Sequence, residues 1–258
     1  MTRPRVVAHR GSSATHAENT WAAFEAAVAD GADEIECDVQ RTRDGILVIR
    51  HDLALGQRLV AECSVAEIEA LEPGLVRLAD LLDWAPQSNI GLLIELKDPD
   101  IALPVGALVA ASRWRDRITI GSFHAPALTA LKRGSPDIRT SLMMGSVLAP
   151  ADLVRLARAY QADGVHPCWE HRAPCPHRLL DAGGIALLRQ SGLNITLWHE
   201  ERESELRALV ELGPDAICTD EPALLRRIVN ESSQAVREAP RAPGSSTARP
   251  DRASQETS

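Results

Sequence analysis

Short runs of β-branched and aliphatic residues alternate with longer helical patterns along most of the chain, and this alternation limits the possible folds more than any other feature. It is typical of βαβ units, which build a parallel sheet covered by helices. Nine segments have the pattern of strands: Arg5–His9, Glu34–Val39, Ile46–His51, Ile90–Lys97, Arg117–Phe123, Ile138–Met144, Gly164–His166, Asn194–Trp198 and Ala216–Thr219.

The second and third of these segments are predicted to form an antiparallel hairpin. Only the turn signal Thr42–Gly45 separates them, whereas a parallel pair needs a connection of about a dozen residues. Eight parallel strands then remain, which is the number in a (β/α)8 TIM barrel. The sequence therefore predicts an α/β fold, a TIM barrel with an extra antiparallel hairpin near strands 2 and 3. Because aromatic residues make up only 3% of the chain, Ala, Val, Leu and Ile must supply the core, as they do in parallel sheets.

The barrel domain is expected to span residues 1–230. Residues 231–258 are rich in Pro and Ser, and Val236 is their only large aliphatic residue. Such a segment buries too little apolar surface to offset the entropy cost of ordering it. We therefore predict a disordered C-terminal tail.

Charge and composition restrict the partners. The 28 basic and 36 acidic residues give a net charge of −8, which argues against nucleic acid. The longest mostly apolar stretch, Ile101–Ala111, is shorter than the roughly 18 residues of a membrane span, and the first residues lack a signal-peptide pattern. The five scattered cysteines form no CxxC pair. We expect a cytoplasmic protein with reduced thiols, a small-molecule partner and no stable membrane insertion; the oligomeric state stays open.

Polar residues occur where the predicted strands end, and in TIM barrels the carboxyl ends of the strands build the active site. His9-Arg10-Gly11 follows the first strand. It combines a titratable base with a guanidinium that matches phosphate oxygens. The alternative is a histidine with a purely structural role.

Two carboxylates lie within the second strand. Glu36 and Asp38 share one face, and Ile35 and Cys37 share the other, because side chains alternate along a strand. Two carboxylates on an inward face need a cation or a shared proton. The alternative, surface carboxylates on an edge strand, is disfavoured by the apolar neighbours.

His51 is predicted to lie near these carboxylates. If the turn is centred on Arg43 and Asp44, the antiparallel register places His51 roughly opposite Glu36. A slip by one residue would instead turn His51 to the other face of the strand.

Glu95 and Lys97 share one face of the predicted strand Ile90–Lys97. This adds a carboxylate and a positive charge, and a structural ion pair is the alternative. Together Glu36, Asp38 and Glu95 supply three oxygen ligands, which suit Mg²⁺ or Ca²⁺ better than zinc. With two histidines and two cationic side chains nearby, this set fits phosphodiester hydrolysis. One histidine would activate the nucleophile and the other would protonate the leaving alkoxide.

These motifs occur in an order and local spacing that resemble the glycerophosphodiester phosphodiesterase family over about residues 6–229. The matching motifs are His9-Arg10-Gly11, Glu18-Asn19-Thr20, Gly31-Ala32-Asp33, Glu36-Cys37-Asp38-Val39, Thr42-Arg43-Asp44-Gly45, His51-Asp52, Glu95-Leu96-Lys97 and the closing Gly213 to Pro222.

The resemblance implies a TIM barrel that hydrolyses glycerophosphodiesters to sn-glycerol 3-phosphate and an alcohol with the help of a divalent cation. It also implies residue roles: acid/base catalysis by His9 and His51, metal binding by Glu36, Asp38 and Glu95, phosphate binding by Arg10 and Lys97, and an apolar wall formed by Trp198.

The chain departs from the family pattern after Trp198. His199-Glu200-Glu201 stands where Thr-Val-Asn is typical. We expect His199 on an exposed loop, with a position in the pocket as the alternative.

Two other functions remain open. A lysophospholipase D would need an apolar rim for the lipid chain, and none stands out in the sequence. A non-catalytic barrel that binds phosphodiesters would be favoured by the loss of a site residue, and all the candidate positions are filled.

Overall fold

Eight parallel strands close into a barrel in a computed structural model of the chain. The structure describes residues 3–167 and 173–238, and it describes side chains through residue 234. The strands in chain order are β1 (Arg5–His9), β2 (Glu34–Arg41), β3 (Leu47–Ile49), β4 (Ala54–Leu55), β5 (Arg58–Leu59), β6 (Gly91–Leu96), β7 (Ile118–Ser122), β8 (Arg139–Met144), β9 (Gly164–Pro167), β10 (Asn194–Leu197) and β11 (Ala216–Thr219). The barrel is formed by β1, β2 and β6 to β11, and it closes because β1 pairs with both β2 and β11. The predicted TIM barrel is confirmed.

Helices surround the barrel and follow its strands in sequence. They are α1 (Trp21–Ala29), α2 (Val65–Leu71), α3 (Leu78–Trp84), α4 (Ala102–Ala111), α5 (Ala125–Gly134), α6 (Pro150–Ala159), α7 (Ala182–Gln190), α8 (Glu203–Leu212) and α9 (Pro222–Glu238). In the part of the chain that the structure describes, none of these helices is long and apolar enough to cross a bilayer.

The alternation of side chains along β2 sorts them into two environments. Ile35 and Cys37 belong to the core between strands and helices, whereas Glu36 and Asp38 point to the opposite side of the strand, into the barrel. The barrel interior also holds a small apolar cluster that includes Val7, two positions before His9 on β1. Apolar side chains therefore fill the barrel below the polar residues at the strand ends.

The predicted antiparallel hairpin is confirmed as the pairing of β2 with β3. A second hairpin, β4 with β5, was not predicted. Its strands have two residues each, which is too short for a strand periodicity to appear in the sequence.

Helix α9 continues past residue 230, where the barrel domain was predicted to end. The boundary after residue 230 falls inside this helix, which extends to Glu238. Glu231 pairs with Arg227 one turn earlier and with Arg207 of α8, and such pairs favour continuation of a helix. Residues 239–258, which contain most of the predicted tail, and residues 168–172, which contain Cys168, lie outside the described residues.

Gly11 allows the chain to turn closely over α1 directly after β1. Its φ is +89°, and an added Cβ would lie 2.6 Å from the carbonyl carbon of Ala23. Gly45 offers a matched control, because its φ is +85° and nothing lies within 4 Å of the added Cβ position.

We expect Gly11→Ala to destabilise the fold more than Gly45→Ala. Both variants incur the left-handed backbone cost of about 1–2 kcal/mol, and Gly11→Ala adds an overpacking cost of about 1–3 kcal/mol. Urea unfolding of the two variants measures the difference. Equal losses of unfolding free energy would show that contact with α1 does not constrain this turn.

Candidate active site

The strand registers bring the polar side chains together at the carboxyl end of the barrel. His9 on β1 is paired with Glu36 on β2, and Asp38 on β2 is paired with Glu95 on β6. Because β2 lies between β1 and β6, Glu36 and Asp38 lie between His9 on one side and Glu95 on the other. The predicted grouping of these residues is present in the structure.

Glu36, Asp38 and Glu95 form a buried carboxylate cluster, which we call the acidic triad. One oxygen atom from each lies within 4.8 Å of the others, and the three residues are at most 4% exposed. Burial raises the pKa of Glu36 well above its ordinary value, and the charges of Asp38 and Glu95 raise it further. Burial and the charge of Asp38 also raise the pKa of Glu95. The triad therefore strongly favours additional positive charge.

Two cationic side chains and an amide stabilise Asp38 in its ionised form. Lys97 Nζ lies 3.2 Å from Asp38 Oδ1 and 2.8 Å from Glu95 Oε1. Arg10 Nε lies 3.2 Å from Asp38 Oδ2, and Asn19 Nδ2 donates to the same oxygen at 2.8 Å. Although burial opposes ionisation, these three groups lower the pKa of Asp38 below its ordinary value.

The acidic triad fits a divalent cation. Its donors are oxygen atoms, the ligands that Mg²⁺ and Ca²⁺ prefer. Burial and the charge of Asp38 raise the pKa values of Glu36 and Glu95 even with Lys97 and Arg10 nearby, so a cation bound there would favour the ionised form of both carboxyl groups.

His9 is oriented by the carboxylate of Asp220, the residue that follows the last barrel strand, β11. Its Nδ1 lies 2.6 Å from Asp220 Oδ1, directly after β11, and its Nε2 lies 4.0 Å from Glu36 Oε2. Burial raises the pKa of Asp220, but hydrogen bonds with His9 and Ser13 and the charge of His9 outweigh it, so the pKa falls to about 2. Asp220 was missed as a site residue, although Thr219-Asp220 has the same strand-end position that singled out His9.

The predicted register of the β2–β3 hairpin is wrong by one residue. Val39 pairs with Ile49, so continuing the ladder would place residue 52, not His51, opposite Glu36. The prediction assumed that the ladder extends to His51, whereas β3 ends at Ile49.

His51 follows directly after the end of the ladder, where the N–H of Arg50 donates to the carbonyl oxygen of Asp38 at 2.8 Å. Gln40 Nε2 donates to the carbonyl oxygens of Arg50 and Asp52, at 2.7 and 2.8 Å, and fixes this segment. The charge of His51 helps to lower the pKa of Asp38, and its Nδ1 lies 2.9 Å from Asp52 Oδ1. The side chain of His51 is 34% exposed.

A cavity of about 280 Å³ opens beside His51. Its lining includes Glu18 and Asp52 from the site loops and the segment from Glu72 to Leu75 between α2 and α3. Asn19, which donates to Asp38, also lines this cavity, so the cavity adjoins the acidic triad without including its carboxylates.

Trp198 forms part of the opposite wall. Its ring is 5.2 Å from the His9 ring and 5.8 Å from the Phe123 ring, centroid to centroid. The apolar surface predicted at Trp198 is therefore at the site.

The expectation that His199 is exposed is wrong. Its side chain is 8% exposed, and Nε2 lies 3.8 Å from Asp220 Oδ2. Its ring lies 4.8 Å from the His9 ring. Local sequence could not show this position, because β1, β10 and β11 are brought together only when the barrel closes.

Comparison with known proteins identifies the family. Residues 9–224 match the Glycerophosphoryl diester phosphodiesterase family. The chain belongs to this family. The predicted enzyme class, a phosphoric diester hydrolase of the glycerophosphodiester phosphodiesterase type, is thereby confirmed.

Similar proteins cover from about half to nearly nine-tenths of this chain. A glycerophosphodiester phosphodiesterase of Caldanaerobacter subterraneus subsp. tengcongensis is 27% identical over 247 residues, which cover 88% of this chain and 98% of that protein. A probable glycerophosphodiester phosphodiesterase 1 of Mycobacterium tuberculosis is 35% identical over 54% of this chain and 64% of its own length. An Oleispira antarctica phosphodiesterase, solved in complex with the product sn-glycerol-3-phosphate, superposes with a TM-score of 0.75 at 23% identity, covering 88% of this chain and 97% of its own. At this identity, the last similarity concerns the fold.

We expect Mg²⁺ or Ca²⁺ to stabilise the protein through the acidic triad. Since the folded-state pKa of Glu36 is raised, the metal-free protein loses stability as the pH rises through that value, and a bound cation offsets this loss. At 100 times its Kd, a cation adds about 2.7 kcal/mol, or a Tm increase of about 5–10 °C. Thermal unfolding in EDTA and after addition of the cation measures it.

Glu36→Gln provides the control for this prediction. The variant should raise the Tm of the metal-free protein, because it removes one buried charge, and should abolish most of the increase caused by the cation. An equal cation-induced increase in both proteins would place the cation at another site.

Proposed function

We propose that this chain hydrolyses glycerophosphodiesters to sn-glycerol 3-phosphate and an alcohol in a reaction that depends on a divalent cation. The observation that carries the proposal is the acidic triad, with Arg10 and Lys97 beside it and His9 and His51 close to it. Family membership and the product bound by the Oleispira antarctica relative support the substrate class.

Glu36, Asp38 and Glu95 would hold the cation, Mg²⁺ or Ca²⁺. When bound there, the cation supplies a positive charge that stabilises the phosphoryl oxygens as negative charge develops on them.

Arg10 and Lys97 bind the phosphate in this proposal. Both are largely buried, with side chains 14% and 15% exposed, so their hydrogen bonds to an anion compete little with water. The planar guanidinium of Arg10 can donate two parallel hydrogen bonds, whereas Lys97 supplies a compact charge. Together they orient the phosphorus atom for attack.

His9 acts as the general base. Asp220 accepts a hydrogen bond at Nδ1, which places the lone pair of the neutral ring on Nε2, the nitrogen that faces Glu36. Nε2 then takes the proton from the attacking hydroxyl group, which belongs to water or to the glycerol part of the substrate. Asp220 is a positioning residue that also stabilises the protonated ring.

His51 acts as the general acid. In this proposal the departing alcohol occupies the cavity that His51 borders, and the greater exposure of His51 allows it to regain a proton from solvent. Protonation of the alkoxide removes the need to expel a strong base. Trp198 covers the other side of the substrate and limits the access of water.

One observation favours lysophospholipids as a second substrate class. Phe123 is 42% exposed and lies against Trp198, and Val147, also exposed, follows the next strand. These side chains continue the apolar wall outward from the barrel mouth, where a lipid chain could lie.

Release of glycerol 3-phosphate from glycerophosphocholine and glycerophosphoethanolamine tests the proposed function. We expect release with Mg²⁺ or Ca²⁺, loss of release in EDTA and recovery when the cation is restored. Release from lysophospholipids alone would favour the second substrate class. Binding without turnover, by folded and cation-loaded protein, would contradict the proposal and favour the non-catalytic barrel.

We expect His9→Ala and His51→Ala each to lower kcat by at least about 10²-fold, because each variant removes a proton-transfer group. His16→Ala is the matched control, since His16 is an exposed histidine on the loop after β1 and should retain near wild-type kcat. Steady-state kinetics and circular dichroism of the variants test this. Near wild-type turnover in either site variant would remove that histidine from the mechanism.

Asp220→Asn should lower kcat by about 10²- to 10⁴-fold with little change in KM, because the amide no longer favours the required tautomer of His9. Ser13→Ala is the control: Ser13 Oγ also donates to Asp220, but its loss leaves the bond to His9 intact. Comparable losses of kcat in the two variants would indicate that Asp220 acts through the loop rather than through His9.

A further inference from the structure

A second group of metal-ligating side chains lies beside the acidic triad. His9, His199 and Asp220 each present one ligand atom, and these atoms lie within 4.8 Å of one another. His9 Nδ1 lies 2.6 Å from Asp220 Oδ1, and His199 Nε2 lies 3.8 Å from Asp220 Oδ2. We call these residues the histidine cluster.

The two imidazole rings lie against each other beside the Asp220 carboxylate. Their planes are inclined by 30° and their centroids are 4.8 Å apart. His9 Nδ1 is within hydrogen-bond distance of Asp220, and His199 Nε2 lies between two carboxylates, 3.2 Å from Glu201 Oε1 and 3.8 Å from Asp220 Oδ2. Donors that share a tetrahedral zinc ion are roughly 3.3 Å apart, given metal–ligand bonds of about 2.0–2.1 Å. The observed distances of 2.6 and 3.8 Å fall on either side of this value. Small side-chain movements would therefore admit an ion.

The donor sets of the two groups differ in chemistry. The acidic triad offers oxygen atoms only, which suit Mg²⁺ or Ca²⁺. The histidine cluster offers two imidazole nitrogens and one carboxylate oxygen, a set that suits Zn²⁺ and leaves a fourth position for water. Each group thus selects a different kind of cation, although His9 is close to both.

We propose that His9, His199 and Asp220 form a binding site for Zn²⁺, and that zinc bound there inhibits the enzyme.

The inhibition follows from the tautomer of His9 and rests on the proposed function. Zinc takes the Nδ1 lone pair, so the proton leaves Nδ1 and, by exchange with solvent, the neutral ring carries it on Nε2. Nε2 then has no lone pair with which to accept a proton from the nucleophile. Asp220 is also bound to the ion and no longer orients the ring for catalysis.

Crystals of the full chain soaked in Zn²⁺, with anomalous data collected at the zinc absorption edge, test the site directly. We expect an ion bonded to His9 Nδ1, His199 Nε2 and an Asp220 oxygen at about 2.0–2.2 Å. Zinc found only at the acidic triad, or only as an adventitious ion on the surface, would overturn the proposal. This readout does not depend on activity, so it also decides the site if the proposed function fails.

Inhibition by Zn²⁺ in saturating Mg²⁺ tests the consequence. His199→Thr introduces the residue typical of the family at this position, and it should retain basal activity while the zinc concentration for half-maximal inhibition rises by at least about 10-fold. His124→Thr is the matched control, because His124 is an exposed histidine after β7; its inhibition should equal that of the wild type.

Equal inhibition of His199→Thr and wild type would show that zinc acts by displacing the cation of the acidic triad, and the proposal would be overturned. If His199→Thr does not fold, the absorption spectrum of Co²⁺ bound to the wild-type protein provides the second measurement. A tetrahedral Co²⁺ signal that is displaced by Zn²⁺ but not by Mg²⁺ is expected, and its absence would count against the site.

Discussion

Three carboxylates buried together at the mouth of a barrel repel one another, and the site is organised around this repulsion. In a medium of low polarity an unbalanced charge is costly. Lys97 and Arg10 balance part of the charge and keep Asp38 ionised, whereas the pKa values of Glu36 and Glu95 remain raised. A buried cluster of carboxylates favours the binding of a cation. Lys97 and Arg10, which stabilise the cluster, are also suited to bind a phosphate.

The barrel makes this arrangement possible because the strands fix the carboxylates before any ligand binds. Glu36 and Asp38 are two residues apart on β2, and the pairing of β2 with β6 adds Glu95 at a fixed distance. Outward-facing residues of the same strands pack under the helices. The free energy that holds the like charges together therefore comes from the apolar layer outside the barrel, at the residues that alternate with the site residues.

The predicted and observed positions of individual residues show which features depend on local sequence and which depend on tertiary structure. The face shared by Glu36 and Asp38 followed from strand alternation alone. The position of His51 was predicted by extending the β2–β3 ladder to residue 51, but β3 ends at Ile49. His51 reaches the site through the loop that Gln40 holds. His199 was predicted to lie on an exposed loop, yet its side chain is buried against His9.

The sequence by itself determined the alternation of strands and helices, the inward face of each strand and the order of the strand-end motifs, because these depend on residues close together in the chain. Tertiary structure decided which strand ends meet. Asp220 lies 211 residues from His9 in the chain and 2.6 Å from it in space, since β11 closes the barrel against β1. Closure also buries His199 beside the same pair, a contact that no local pattern encodes because it depends on strands from opposite ends of the chain becoming neighbours.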